Sequence, residues 1–95
     1  MKIPKISIII LNYNAGDLLE KCISSIVKSN YENIEIILVD NASQDHSHIK
    51  CKEKFSQIKL IENKENLGYC EGNNIGIKSA NGEYIIILNP DTEVE

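Results

Sequence analysis

Three runs of β-branched and apolar residues, Ile6–Leu11, Ile34–Val39 and Tyr84–Leu88, dominate the 95-residue chain and leave few folds open to it. Strands that face water on one side alternate apolar with polar residues. Near-continuous apolar runs suit strands covered on both faces, as in a parallel sheet. Parallel neighbours need long crossovers, normally helical. The segments between these runs are long enough for that.

After the first run, Leu19, Cys22, Ile23, Ile26 and Val27 recur at helical spacing. Asn14 is placed to cap this helix, Asp17 falls in its first turn, and Asn30 is its expected stop. After the second run, Asn41 or Ser43 is placed to cap a weakly amphipathic helix over 46–55, with Ile49 and Phe55 as its strong apolar residues. The short run 58–61 predicts a third strand near an edge, and 62–66 a loop. The spacing predicts a helix over 67–80, with Cys70, Asn74 and Ile77 on one face and Gly72 and Gly76 inside. Interior glycines cost about 1 kcal/mol each relative to Ala. Either close backbone packing on the sheet or a ligand contact would explain them. Asn81-Gly82 is expected to end that helix as a C-terminal cap. The fold class expected is α/β, a three-layer α/β/α arrangement around a mostly parallel sheet of about four strands.

Composition narrows function by exclusion. An apolar fraction of 42% and a charged fraction of 25% are ordinary for a globular chain. The ten basic residues are all Lys, they form no stripe, and the net charge is −4, so nucleic acid is not an expected partner. The apolar runs are too short to span a bilayer, and Met1–Lys5 lacks the pattern of a signal peptide. Cys22, Cys51 and Cys70 are widely spaced with no Cys-x-x-Cys pair, which predicts reduced thiols and a cytoplasmic setting. His46 and His48 are expected to face solvent, and Asp45 to be a first-turn charge.

The chemistry gathers where the strands end. Asn12-Tyr13-Asn14, Asp40-Asn41-Ala42-Ser43 and Asn89-Pro90-Asp91 each follow an apolar run. Open parallel sheets bind ligands outside the carboxyl ends of their strands, so these residues could share one crevice. Asp40 has a simpler reading as a turn or cap former, and Pro-Asp-Thr one as an ordinary turn. No G-x-G-x-x-G and no G-x-x-x-x-G-K-S/T follows the first strand. Phosphates would then be met by a metal on Asp91, since hard cations take carboxylate and phosphate oxygens.

The blocks from Ile8 to Asn14, Val39 to Asp45, Glu65 to Gly76 and Leu88 to Thr92 together resemble the N-terminal half of the family 2 glycosyltransferases, a resemblance covering nearly the whole chain. It implies the GT-A fold and transfer of a sugar, with inversion, from a UDP- or dTDP-sugar to a glycan or lipid-linked acceptor. It puts Asn12, Tyr13 and Asn14 beside the base and ribose, and Asp40 on the pyrimidine ring. Asn41, Ser43, Asn66, Gly68, Asn73, Asn74 and Asn89 would border the same nucleotide. Asp91 would contact Mg²⁺ or Mn²⁺ as the last carboxylate of the family's Asp-x-Asp motif. Asn89 stands where that motif begins with Asp, a variant similar to rhamnosyltransferase-like members of polysaccharide biosynthesis, and it offers one charge fewer. On this resemblance residues 1–95 are the donor-nucleotide portion of a larger domain. The acceptor half and the catalytic base would lie beyond Glu95, with no catalytic residue within the chain. A sheet open after its fourth strand is expected to self-associate. Enzymes of this type often work at the inner face of a membrane, although nothing in these residues reads as an anchor. Nucleotidyl transfer and a non-catalytic nucleotide-binding module are the alternatives.

Overall fold

The computed structural model describes residues 3–29 and 31–90. Asn30 and Asp91, both singled out above, lie outside the described residues. Strands β1 (Ile6–Asn12), β2 (Ile34–Asp40), β3 (Lys59–Glu62) and β4 (Tyr84–Leu88) alternate with helices α1 (Asp17–Val27), α2 (Ser47–Lys54) and α3 (Gly68–Ser79). The four strands form a sheet in the order β3-β2-β1-β4, and every neighbouring pair is parallel. The expected three-layer architecture is what forms, with β3 at one edge.

Side-chain alternation divides the core in two. Ile8, Ile10, Ile36 and Leu38 face α1 and α2, packing against Leu19, Cys22, Ile23, Ile26, Cys51 and Phe55. Ile9, Ile37 and Val39 face the other way and pack with Ile75 of α3. The chain steps from β1 outward to β2 and β3 with helices on one face. It then returns past β1 to β4 with α3 on the opposite face. A right-handed crossover places its helix on opposite faces for opposite directions of travel. The reversal falls between β1 and β4, and there the carboxyl ends leave a crevice.

Several local expectations are corrected by partners distant in sequence. Asn14 does not cap α1, whose N-cap is Gly16. Its side-chain oxygen instead accepts the N–H groups of Gln44 (2.7 Å) and Asp45 (3.2 Å). Val27 lies outside the buried stripe, because Leu19, Cys22, Ile23 and Ile26 already fill the α1 contact. Neither Asn41 nor Ser43 caps α2, whose N-cap is His46 in a left-handed conformation. On α2 Ile49 is exposed, and the buried residues are Ser47, His48 and Cys51.

The face assigned to α3 is also wrong. Cys70, Asn74 and Ile77 are exposed, while Gly72, Asn73 and Gly76 are buried. A Cβ on Gly72 would stand 2.5 Å from Leu11 Cδ1, and one on Gly76 2.6 Å from Ile9 Cγ2. Close packing on the sheet therefore accounts for both glycines. Gly82 is not a left-handed cap either. The N–H of Gly82 donates to Ser7 Oγ at 2.8 Å, and a Cβ there would sit 2.6 Å from the same oxygen.

Candidate functional site: a cleft at the carboxyl ends of the strands

In the parallel register Asn12 lies beside Asp40, and both side chains are buried. Asn12 Nδ2 donates to Asp40 Oδ1 (2.8 Å) and to Ser47 Oγ (2.9 Å). Asp40 Oδ1 also accepts the Ser43 hydroxyl (2.7 Å), and Oδ2 accepts the Ser43 N–H (2.8 Å). Ser43 Oγ in turn accepts the N–H of Asn14 at 2.9 Å. The loops after β1 and β2 are thereby laced together.

Asp40 follows Ile36 and Leu38 in the alternation, so its carboxylate turns toward α1 and α2 and is 1% exposed. Asn41 turns the other way. Its Nδ2 donates to the carbonyl of Gly68 at 3.2 Å, and its Oδ1 accepts Nδ2 of Asn63 at 2.8 Å. A cleft of about 470 Å³ opens on this side, with Leu11, Tyr13, Asn41, Asn66, Gly68 and Tyr69 in its walls together with Ala15, Leu18 and Pro90. Its size is that of an ordinary small-molecule site. Tyr13, Asn41, Asn66 and Gly68 thus come together as expected of one crevice. Buried Asn12 and Asp40, with half-buried Ser43, form its support, and neither Asn14 nor the exposed Asn74 lines it. Asn89 is exposed at the end of β4, and its carbonyl accepts Cys22 Sγ at 3.7 Å. Asn73 is 4% exposed, and neither atom of its amide has a hydrogen-bond partner.

His48 was not foreseen as a buried residue. It is 5% exposed, with Nε2 at 3.1 Å from Glu62 Oε1 and Nδ1 at 3.4 Å from Asp40 Oδ1. The longer contact has ion-pair distance without hydrogen-bond alignment. Its partners come from β2 and β3, and no spacing along α2 could have revealed them. Tyr69 was also missed as a cleft residue, and its signal was an aromatic directly after a loop glycine. Asp45 is a staple between helix starts: Oδ1 accepts the N–H and hydroxyl of Ser47 at 3.0 and 2.7 Å, and Oδ2 accepts the N–H of Gly16 at 3.0 Å. Burial pushes its carboxyl upward, but these bonds outweigh burial and hold it below its ordinary value of 3.8. Burial, followed by the nearby Glu20 charge, pushes the Cys51 thiol up to about 11, so it stays protonated and inert. A second hollow of about 180 Å³ lies at the opposite end of the sheet, near Tyr31 and Gln57. Among the described residues no helix is long and apolar enough to cross a membrane, and no group of three His, Cys, Asp or Glu side chains could hold a metal ion.

An open parallel sheet with a cleft at its reversal point defines a nucleotide-binding type of α/β domain. Residues 7–95 match the family model described as Glycosyl transferase family 2, and the chain belongs to that family. It is 38% identical over 93 residues to glycosyltransferase GlyG of Streptococcus pneumoniae, covering 95% of this chain and 31% of that protein. It is 36% identical over 87 residues to the Escherichia coli UDP-Glc:alpha-D-GlcNAc-diphosphoundecaprenol beta-1,3-glucosyltransferase WfgD, covering 90% of this chain and 34% of the relative. The chain thus spans about a third of the length of these curated relatives. Among solved structures, the Pyrobaculum calidifontis mannosyltransferase PcManGT in complex with GDP-Man and Mn²⁺ superposes with a TM-score of 0.84 at 26% identity, over 93% of this chain and 28% of that one. Staphylococcus aureus TarS in complex with UDP-GlcNAc gives 0.85 at 25% identity, over 92% and 26%. The GT-A fold expected from the sequence is the fold of these enzymes.

Proposed function

We propose that residues 1–95 form the donor-nucleotide side of an inverting glycosyltransferase, which moves a sugar from a UDP- or dTDP-sugar to a glycan or lipid-linked acceptor. The observation that carries this reading is the cleft itself, seated where β1 and β4 diverge and walled by Tyr13, Asn41, Asn66 and Gly68. The solved relatives that hold UDP-GlcNAc, or GDP-Man with Mn²⁺, share this part of the fold. Inverting transfer requires a base on the acceptor hydroxyl and an electrophile on the departing diphosphate. This chain would supply the donor side of that chemistry, and residues of the larger domain would supply the base.

The donor set suits Mg²⁺ or Mn²⁺. Pro90 lines the cleft at the end of β4, flanked by Asn89 and Asp91, and an amide oxygen with one carboxylate leaves positions for phosphate oxygens and water. A divalent ion held there would offset the charge of the leaving diphosphate. Asp91 and Asn89 would hold it, Asn41 fixes the Gly68 wall of the cleft, and Asp40 with Asn12 keeps the loops after β1 and β2 in place. Tyr84, Ile85, Ile86 and Ile87 are exposed along β4, which supports self-association of residues 1–95 taken alone. The same reading places the protein in the cytoplasm, at the service of polysaccharide synthesis.

Calorimetric titration with UDP and dTDP, with and without Mn²⁺, tests the proposal. Binding that strengthens with the metal, and loses that gain in Asp91→Ala, is the expected result. An equal affinity with and without metal in both proteins would remove Asp91 from its role. No binding of either nucleotide would end the donor reading.

A further inference from the structure

Tyr69 stands in the first turn of α3 at the wall of the cleft and is 60% exposed. The backbone beneath it is fixed from several sides. Gly68 has φ +84, a conformation L side chains rarely adopt. Its N–H donates to Asn66 Oδ1 at 2.9 Å, and its carbonyl accepts Asn41 Nδ2 at 3.2 Å. Asn41 is itself buried and held by Asn63 at 2.8 Å. One turn further on, Gly72 sits against Leu11 and Asn41 with no room for a Cβ, so the helix start cannot slide along the sheet. Asn41, Asn63 and Asn66 thus spend their amides on a loop whose outcome is an aromatic ring left in water.

The rest of the cleft says what such a ring would meet. Tyr13 is a second wall, 53% exposed, and Leu11, Leu18 and Pro90 add apolar surface. Among the described residues no Lys lines the cleft, so this wall is not built for phosphate. Two exposed aromatic side chains with apolar neighbours suit a flat, π-faced ring.

We propose that Tyr69 is a donor-binding residue, its ring stacking on the nucleobase while Tyr13 forms the other aromatic wall of the same cleft. This rests on the donor reading given above. The other ring available is the sugar of the donor, and the test separates the two.

Binding of UMP, dTMP and UDP-GlcNAc is measured with Mg²⁺ for wild type, Tyr69→Ala and Tyr69→Phe, with thermal melts of all three. Base stacking predicts that Tyr69→Ala weakens the mononucleotide and the nucleotide sugar by the same factor, about five-fold or more, while Tyr69→Phe binds like wild type. The melts should coincide, because the ring is exposed. Loss confined to UDP-GlcNAc would assign Tyr69 to the sugar and overturn the proposal. Unchanged affinity in Tyr69→Ala would overturn it while leaving the donor reading intact. A wild type that binds none of the three ligands would remove both.

Discussion

Asn73 illustrates how a single side chain can be held at a cost. Its amide is buried without a hydrogen-bond partner, and a desolvated, unpaired amide costs about 1–3 kcal/mol. Asn73→Leu replaces it with an apolar group of similar size. The expected result is a gain of about 1–3 kcal/mol in urea unfolding, with an unchanged m-value. A loss of that size would show that the amide has a partner. Asp40 carries a different lesson. Its position after Val39 marked it as a ligand contact, yet alternation along β2 turns it to the helix pair and gives the cleft to Asn41. The motif was legible in the sequence. Which of two adjacent polar residues faces the cleft was not, because that depends on the face each side of the sheet buries.

At the scale of elements, strands are legible in the sequence and helix starts are not, for one reason. A buried parallel strand announces itself by its own composition. A cap depends on what is nearby, and Asn14, Ser43 and Asp45 bond across two loops about 30 residues apart in sequence. The buried face of α3 is not legible in the sequence, because its contact is made by glycines, which leave no apolar stripe.

These cross-element bonds give the molecule an acid limit. Asp45 joins the starts of α1 and α2. At the other end of the sheet, Glu35 accepts the Ser7 hydroxyl and the N–H of Asn81. Burial raises the Glu35 carboxyl, but these bonds and the charges of Lys5 and Lys59 outweigh it, leaving it below its ordinary 4.5. Both groups bind fewer protons folded than unfolded. Their contribution is therefore complete above about pH 4.5, and it is lost as pH falls through the depressed folded values. Melting temperature should fall steeply from pH 4.5 downward, and the double variant Glu35→Gln, Asp45→Asn should show a shallower fall over that window. Equal slopes would mean that other carboxylates set the limit.

For the molecule as a whole, topology decides where function resides. The order β3-β2-β1-β4 brings residues from three strand ends to one rim, and that much followed from the alternation of apolar runs and helices. The link from buried Asn12 through Asp40 and His48 to exposed Glu62 joins β1, β2, α2 and β3. Only assembled coordinates could reveal it, since each member alone resembles an ordinary surface polar residue.

Amide chemical-shift mapping tests the placement of the donor at that rim. On titration with UDP and Mg²⁺, the largest changes should fall at Tyr13, Asn41, Asn66, Gly68 and Tyr69. Changes centred instead on Tyr31, Glu32 and Gln57, around the hollow at the far end of the sheet, would contradict the account.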